Sequence, residues 1–152
     1  MSGRVVFASG ACAGLATVLV LMASASRRGR SHWRLINATS HWVHGQAAGS
    51  VSRFDLSHTL TGFATHMLGS LWWALPFSAL LGRNTASSPR VVAAAAGTTL
   101  LAALVDYGLV PRRLAPGWEL ALRKTDIAKA YVAMALALAL GTFCITERGR
   151  VD

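Results

Sequence analysis

Charged residues are scarce in this sequence: they make up 14% of its 152 residues, whereas an average soluble domain has roughly 25%. Acidic residues are scarcest, with 6 Asp and Glu against 15 Lys and Arg, which gives a net charge of +9. Hydrophobic residues make up 53%, which excludes intrinsic disorder. The basic residues lie in short clusters between long uncharged stretches. We therefore expect a membrane protein with no nucleic-acid partner.

Sequence motifs for common enzyme chemistry are also lacking. There is no C-x-x-C, no G-x-S-x-G, no phosphate-binding loop and no dinucleotide fingerprint. These absences favour a non-enzymatic function, and we assign no catalytic residue. The two cysteines, Cys12 and Cys144, either form a disulfide or serve as small buried apolar residues, and the second interpretation is favoured.

Four long stretches carry almost no charge. A helix rises about 1.5 Å per residue, so about 20 apolar residues cross a hydrocarbon core of about 30 Å. We predict an all-α fold, a transmembrane four-helix bundle that forms one integral-membrane domain over residues 1–152. Its spans lie at residues 5–25, 57–82, 91–111 and 127–146.

The first stretch has a second interpretation, as a cleaved signal peptide. It starts with Arg4 and ends in Ala23-Ser24-Ala25, which resembles a cleavage site. A basic cluster follows at once, beginning at Arg27, and positive charge directly after an apolar segment resists translocation. We therefore predict that the stretch is retained as a transmembrane helix.

The distribution of basic residues predicts the orientation. With four spans, the loops 26–55 and 112–126 share one side and carry nine basic residues, while the termini and the 83–90 loop carry five. The positive-inside rule places the larger loops in the cytoplasm and both termini outside. Only two of the basic residues are lysines, which is typical of a GC-rich bacterial genome. We expect a bacterial inner membrane and contacts between the Arg clusters and anionic lipid headgroups.

The first of these loops contains apolar residues between basic ones and histidines. Over residues 33–48 this pattern predicts a short amphipathic segment that lies on the cytoplasmic leaflet. Trp33, Trp42 and Trp118 are predicted to anchor at the interface.

Polar residues within the spans suggest a site. Asp106 is the acidic residue inside the third span. An ionisable residue inside the membrane is by default a candidate for a functional site. Helix rise places further polar residues at overlapping depths. The candidate pocket comprises His58, His66, Asp106, Tyr107 and Tyr131. The candidate loop cluster beneath it comprises Asn37, His41, His44 and Glu119.

This pocket has a functional and a structural interpretation. In the first it handles protons, a metal or a small polar ligand. In the second, which is favoured, Asp106 makes an interhelical hydrogen bond that fixes helix packing. In both we expect Asp106 to face the bundle interior, with His66 or His58 as preferred partners and Tyr131 as the second choice.

No cofactor is predicted. A zinc site built from His41, His44, His58 and Asp106 is conceivable, but these positions match no recognised ligand spacing. Haem held by two histidines inside a bundle draws them from facing helices, and only the second span contains histidine. The metal, if any, stays unknown at this stage.

Two segments resemble a known family. Residues 36–45 read INATSHWVHG and residues 105–119 read VDYGLVPRRLAPGWE. They are similar to the INA-SHW-hG loop and the VDY-VP-RLTPG-E motif of an uncharacterised family of small four-span bacterial inner-membrane proteins. The resemblance extends over residues 34–141; it implies a topology and no activity, and Ala115 stands where that family has Thr. The matching positions are Asn37, His41, Trp42, Gly45, Asp106, Pro111, Pro116, Gly117 and Glu119.

Three function classes follow. The favoured one is a structural or assembly subunit, either a homo-oligomer or the small subunit of a membrane complex. The second is a small transporter or proton-linked component that uses the Asp106 pocket. The third is a metal- or haem-dependent membrane enzyme.

Overall fold

The computed structural model describes residues 3–82 and 87–148, with side chains up to residue 145. That part of the chain is helical and contains no β-strand, which confirms the predicted all-α class. The described chain also contains three short helical turns, a π-helical turn at Val105–Leu109 and 3-10 turns at Gln46–Ser50 and Trp118–Leu120. The α-helices are α1 (Gly3–Ser26), α2 (His32–Thr39), α3 (His41–His44), α4 (Leu56–Leu81), α5 (Ser88–Leu104) and α6 (Lys124–Arg148).

Three helical segments are long and apolar enough to cross a membrane: Gly3–Ser26, Ser88–Leu109 and Lys124–Ile145. They overlap the first, third and fourth predicted spans and are compatible with a membrane protein. The second predicted span forms α4, which has 26 residues. This helix is not among the three, although its length alone would suffice.

The four long helices pack as antiparallel neighbours, α1 against α4 and α6, and α5 against α4 and α6. The core between them includes Leu21, Phe77 and Leu138, each at most 1% exposed. Glycines allow the close approach: a Cβ on Gly10 would lie 2.9 Å from Leu71 Cδ2 of α4, and one on Gly14 would lie 2.6 Å from the Met67 sulfur. Gly10 and Gly14, spaced four residues apart on one face of α1, therefore serve packing within the chain.

The segments 27–55 and 110–123 fold together at one end of the long helices; we call them the loop cap. The Arg30 guanidinium donates to the Ala121 carbonyl at 2.8 Å, and the Arg34 guanidinium donates to the Gly49 carbonyl at 2.5 Å. The Trp42 indole donates to the Ala115 carbonyl at 2.9 Å. These bonds satisfy backbone acceptors that lie outside regular helix.

The predicted amphipathic segment forms α2, α3 and the following 3-10 turn. Ser31 begins α2 as its N-cap and accepts from the Trp33 N–H at 3.2 Å. Leu35 and Ile36 are buried and pack toward α4. The approach is close, because a Cβ at Gly62 of α4 would overlap the Ile36 carbonyl oxygen. The apolar face of α2 is therefore covered by protein.

Candidate functional site

Asp106 lies in the π-helical turn that ends the third long helical segment. The turn closes with a bond from the Val110 N–H to the Val105 carbonyl at 3.0 Å, and such turns occur frequently at functional sites. The Tyr131 hydroxyl of α6 donates to Asp106 Oδ2 at 2.7 Å. The Trp73 indole of α4 also interacts with this carboxylate. Asp106 thus faces the interior and joins three helical segments.

The partner of Asp106 is the second choice from the sequence, and the preference for histidine is wrong. His66 instead forms a bond of 2.9 Å between Nε2 and the Gly14 carbonyl oxygen, which links α4 to α1. Because a carbonyl only accepts, Nε2 carries the proton, and Nδ1 of the neutral ring is an acceptor.

Aromatic rings connect His66 with the Asp106 pair. The centroid of Trp118 lies 5.7 Å from that of His66 and 5.8 Å from that of Tyr131, and Tyr131 lies 6.2 Å from Tyr107. The sequence predicts Trp118 as an interface anchor, but it is buried with 6% exposed. We call Asp106, Tyr107, Trp118, Tyr131 and His66 the polar cluster. Trp118 was missed as a member of this cluster, because its position in the chain suits an interface anchor as well as a buried ring.

His58 lies apart from this cluster, at the start of α4. Its backbone N–H donates to Asp55 Oδ1 at 2.9 Å and its Nδ1 donates to the same atom at 2.7 Å. The hydrogen bond from the His58 backbone N–H, which has the largest effect, and the one from its ring hold the pKa of the Asp55 carboxyl below its ordinary value. The His44 ring lies 4.3 Å from that of His58. His58 and His44 therefore lie at the N-terminal end of α4, near its N-cap residue Asp55.

The other loop residues occupy separate positions in the loop cap. Asn37 is fully buried, donates to the Val51 and Arg53 carbonyls at 2.9 Å each, and accepts from the Thr59 hydroxyl at 2.7 Å. His41 is buried against Gly117, and its Nδ1 bonds to the Ala38 carbonyl at 3.0 Å.

Glu119 lies elsewhere again, on the exposed side of the cap, where it interacts with Tyr107. The four predicted loop-cluster residues thus serve separate contacts.

No metal site is formed in the described part of the chain. No group of three or more His, Cys, Asp or Glu side chains there is arranged to hold an ion. The conceivable zinc set of His41, His44, His58 and Asp106 is not brought together. Cys12 and Cys144 are free and exposed, so the interpretation as buried thiols is wrong.

A cavity of about 980 Å³ adjoins the polar cluster, and it is open along one side, where the lining residues Phe7, Leu68 and Trp72 are exposed. Its wall extends along α1 from Gly3 to Thr17, a distance of about 21 Å by helix rise. Apolar side chains such as Phe7, Leu71 and Leu75 line most of it. The polar lining lies toward the loop cap and comprises Thr17, Thr39, Thr65, His66, Ser70, Asp106, Trp118 and Tyr131.

Most hydroxyl groups along this cavity already donate within the protein. Thr17 donates to the Ala13 carbonyl, and Thr65 donates to the Thr61 carbonyl at 2.7 Å. The Tyr131 hydroxyl donates to Asp106, and the Trp42 indole at the rim donates to a cap carbonyl. A bound molecule would therefore meet mainly hydrogen-bond acceptors, which are the free lone pairs of these oxygen atoms.

Comparison with known proteins gave no match to a family model, to a curated protein or to a solved structure. The resemblance of residues 34–141 to the four-span family therefore stays a prediction.

Proposed function

We propose that this chain is an integral protein of a bacterial inner membrane that crosses the bilayer four times with both termini outside. Three helical segments are apolar and long enough to span, which supports the location. α4 is the proposed further span because it is 26 residues long and packs between α1 and α5. The loop cap contains most of the basic residues, which supports a cytoplasmic position for it.

The function we propose is binding of an amphiphilic molecule between the helices, as carrier, transporter or sensor. The observation that carries it is the cavity of about 980 Å³, apolar along its length and polar at the Asp106 end. Ligand sites are typically cavities of about 300–1,000 Å³ with mainly apolar walls and a few placed polar groups. An apolar chain would lie between Phe7 and Leu75, with its polar end at Asp106 and Tyr131.

Photolabelling tests this proposal. The protein, purified in neutral maltoside micelles, is exposed to a dodecanol analogue that carries a diazirine in its chain. We expect saturable labelling of lining residues such as Leu71 and Leu75, detected by mass spectrometry. Labelling that never saturates would contradict binding in the cavity.

Two glycine variants locate the bound chain. A Cβ at Gly69, which lines the cavity, and one at Gly97 on α5 each meet open space. Gly69→Phe should fill the cavity and remove most saturable labelling. Gly97→Phe adds the same ring to a helix at a position that does not line the cavity, and labelling should stay at the wild-type level.

A second candidate is the homo-oligomeric or assembly component that the composition favours. Large apolar side chains are exposed at the cavity rim, with Trp72 and Leu68 each 66% exposed, and in a spanning helix such side chains face either lipid or a neighbouring helix. If a helix of a second copy covers this rim, the micelle-bound protein should be a dimer by mass, and Trp72→Ala should shift it to monomer.

A further inference from the structure

We propose that the amphiphile bound in this cavity carries a cationic, ammonium-type headgroup. The inference rests on the proposed function and names the chemistry that the polar end of the cavity would select. Among the described residues that line the cavity, Asp106 is the charged side chain, and none is Lys or Arg.

The hydrogen-bonding state of the lining favours a donor ligand. The Thr17, Thr65 and Ser70 hydroxyls donate to helix carbonyls, so each presents lone pairs to a bound molecule. His66 donates through Nε2 to Gly14, which leaves Nδ1 as an acceptor. Because an ammonium group has donors and no acceptor, it complements such a wall, whereas a carboxylate or phosphate does not.

The Asp106 carboxylate supplies the charge complement. It is held by the Tyr131 hydroxyl at 2.7 Å, which leaves further lone pairs on its two oxygens. Away from bulk water, opposite charges attract more strongly than on a hydrated surface. An ammonium beside Asp106 would also remove the cost of an uncompensated charge among apolar side chains.

Aromatic faces near the carboxylate supply a second attraction. Trp118 and Tyr131 lie 5.8 Å apart, and both line the cavity together with Trp73. Cations bind over aromatic faces, most strongly where water is excluded. A carboxylate beside several such rings is suited to an ammonium group on a lipophilic chain.

A headgroup series tests the inference. Dodecylammonium, dodecanol and dodecanoate compete, near neutral pH, with the photoreactive dodecanol for labelling of the wild-type protein. We expect dodecylammonium to displace it at a concentration about tenfold lower than dodecanol, equivalent to about 1.4 kcal/mol, and dodecanoate to be the weakest. Equal potency of the three, or a preference for dodecanoate, would overturn the inference while the proposed function stands. Absence of saturable labelling would instead reject the proposed function.

Matched carboxylate variants assign the preference to Asp106. Asp106→Asn keeps the shape but removes the charge, and the advantage of dodecylammonium over dodecanol should disappear. Asp55→Asn removes a charge from the same end of the protein but keeps an N-cap residue, and the advantage should remain. Loss of the advantage in both variants, or in neither, would contradict the assignment. The wild-type series decides the main question even if Asp106→Asn does not fold.

The ammonium group could belong to a bilayer lipid or to a soluble amine. A two-chain lipid whose headgroup is a primary ammonium without a phosphate, added to the micelles, distinguishes these sources. If the native occupant is an aminolipid, this lipid should suppress labelling in wild-type protein more strongly than phosphatidylglycerol does. If both lipids leave labelling unchanged while dodecylammonium suppresses it, the occupant is a soluble lipophilic amine. Stronger suppression by phosphatidylglycerol would contradict a cationic headgroup.

Discussion

Among the glycines of the loop cap itself, Gly117 is the one at which an added methyl group meets the closest contacts. Its φ is +82°, and a Cβ there would lie 2.6 Å from both the Ala38 carbonyl oxygen and His41 Nδ1. Gly117→Ala combines backbone strain with overlap, so we expect a loss of about 2 kcal/mol or more in unfolding free energy. Denaturation of the protein in micelles, followed by circular dichroism, measures it.

Gly29 is the matched control for this prediction. It also has a positive φ, +64°, but a Cβ there meets open space. Gly29→Ala should therefore show the strain alone, about 1 kcal/mol. Equal losses in the two variants would show that contact with His41 and Ala38 is not important for stability.

The polar cluster shows what residue-level reasoning from sequence can reach. Depth along a helix follows from the rise per residue, so Asp106 and Tyr131 could be placed at matching heights. The side of the helix that each residue faces depends on packing. His66 faces the backbone of α1, and His58 is held by the Asp55 cap. Neither choice could be read from spacing alone.

At the scale of elements, the ion pair between the loop cap and α6 is the clearest test. Arg28 Nε lies 2.7 Å from Asp126 Oδ2, and Arg28 Nη2 donates to Oδ1 at 3.2 Å. The side chain of Asp126 is 2% exposed and that of Arg28 is 28% exposed. We expect Arg28→Ala to cost about 1 kcal/mol, because water screens part of the attraction.

A double-mutant cycle isolates this pair. Unfolding free energies of Arg28→Ala, Asp126→Ala and the double variant should give a coupling energy of about 1 kcal/mol. Arg27→Ala, which removes a neighbouring exposed charge, should change stability by less than about 0.5 kcal/mol. A coupling energy near zero would mean that the pair does not tie the loop cap to α6.

The α2 segment shows why an amphipathic pattern does not reveal whether its apolar face packs against lipid or against protein. Trp33, Leu35 and Ile36 predict a helix with one apolar face, and the helix exists. A lipid surface and a protein surface select the same pattern, since both bury apolar area. The deciding feature was Gly62, which gives α2 room to reach the α4 backbone. Nothing in the sequence around Gly62 indicates that it contacts Ile36, which lies 26 residues earlier in the chain.

At the scale of the whole molecule, charge-free runs predicted the long helices well. The predicted spans 5–25 and 57–82 correspond to Gly3–Ser26 and Leu56–Leu81. The third differs, because α5 ends at Leu104 and a π turn continues to Leu109. The bonds that join the two larger loops into one cap were not predicted, since they connect side-chain donors with backbone carbonyls about 70 to 90 residues away, as in Arg30 and Ala121. Such long-range pairings leave no local pattern.

The four-span topology can be tested across α4 itself. Ser52 and Ser88 are exposed and lie on either side of this helix. In a background with Cys12→Ala and Cys144→Ala, we place single cysteines by Ser52→Cys or Ser88→Cys. Intact cells then meet a membrane-impermeant maleimide. If α4 crosses the bilayer and the loop cap is cytoplasmic, Ser88→Cys should be labelled from outside and Ser52→Cys only after permeabilisation.

The other outcomes of this labelling separate the span from the orientation. Labelling of both positions from one side would show that α4 does not cross, in keeping with its absence from the three apolar segments. Opposite labelling with the sides exchanged would keep the span and reverse the orientation. The Asp106 end of the cavity would then face the outside, since Asp106 lies toward the loop cap. The entry side for a bound amphiphile therefore depends on this measurement.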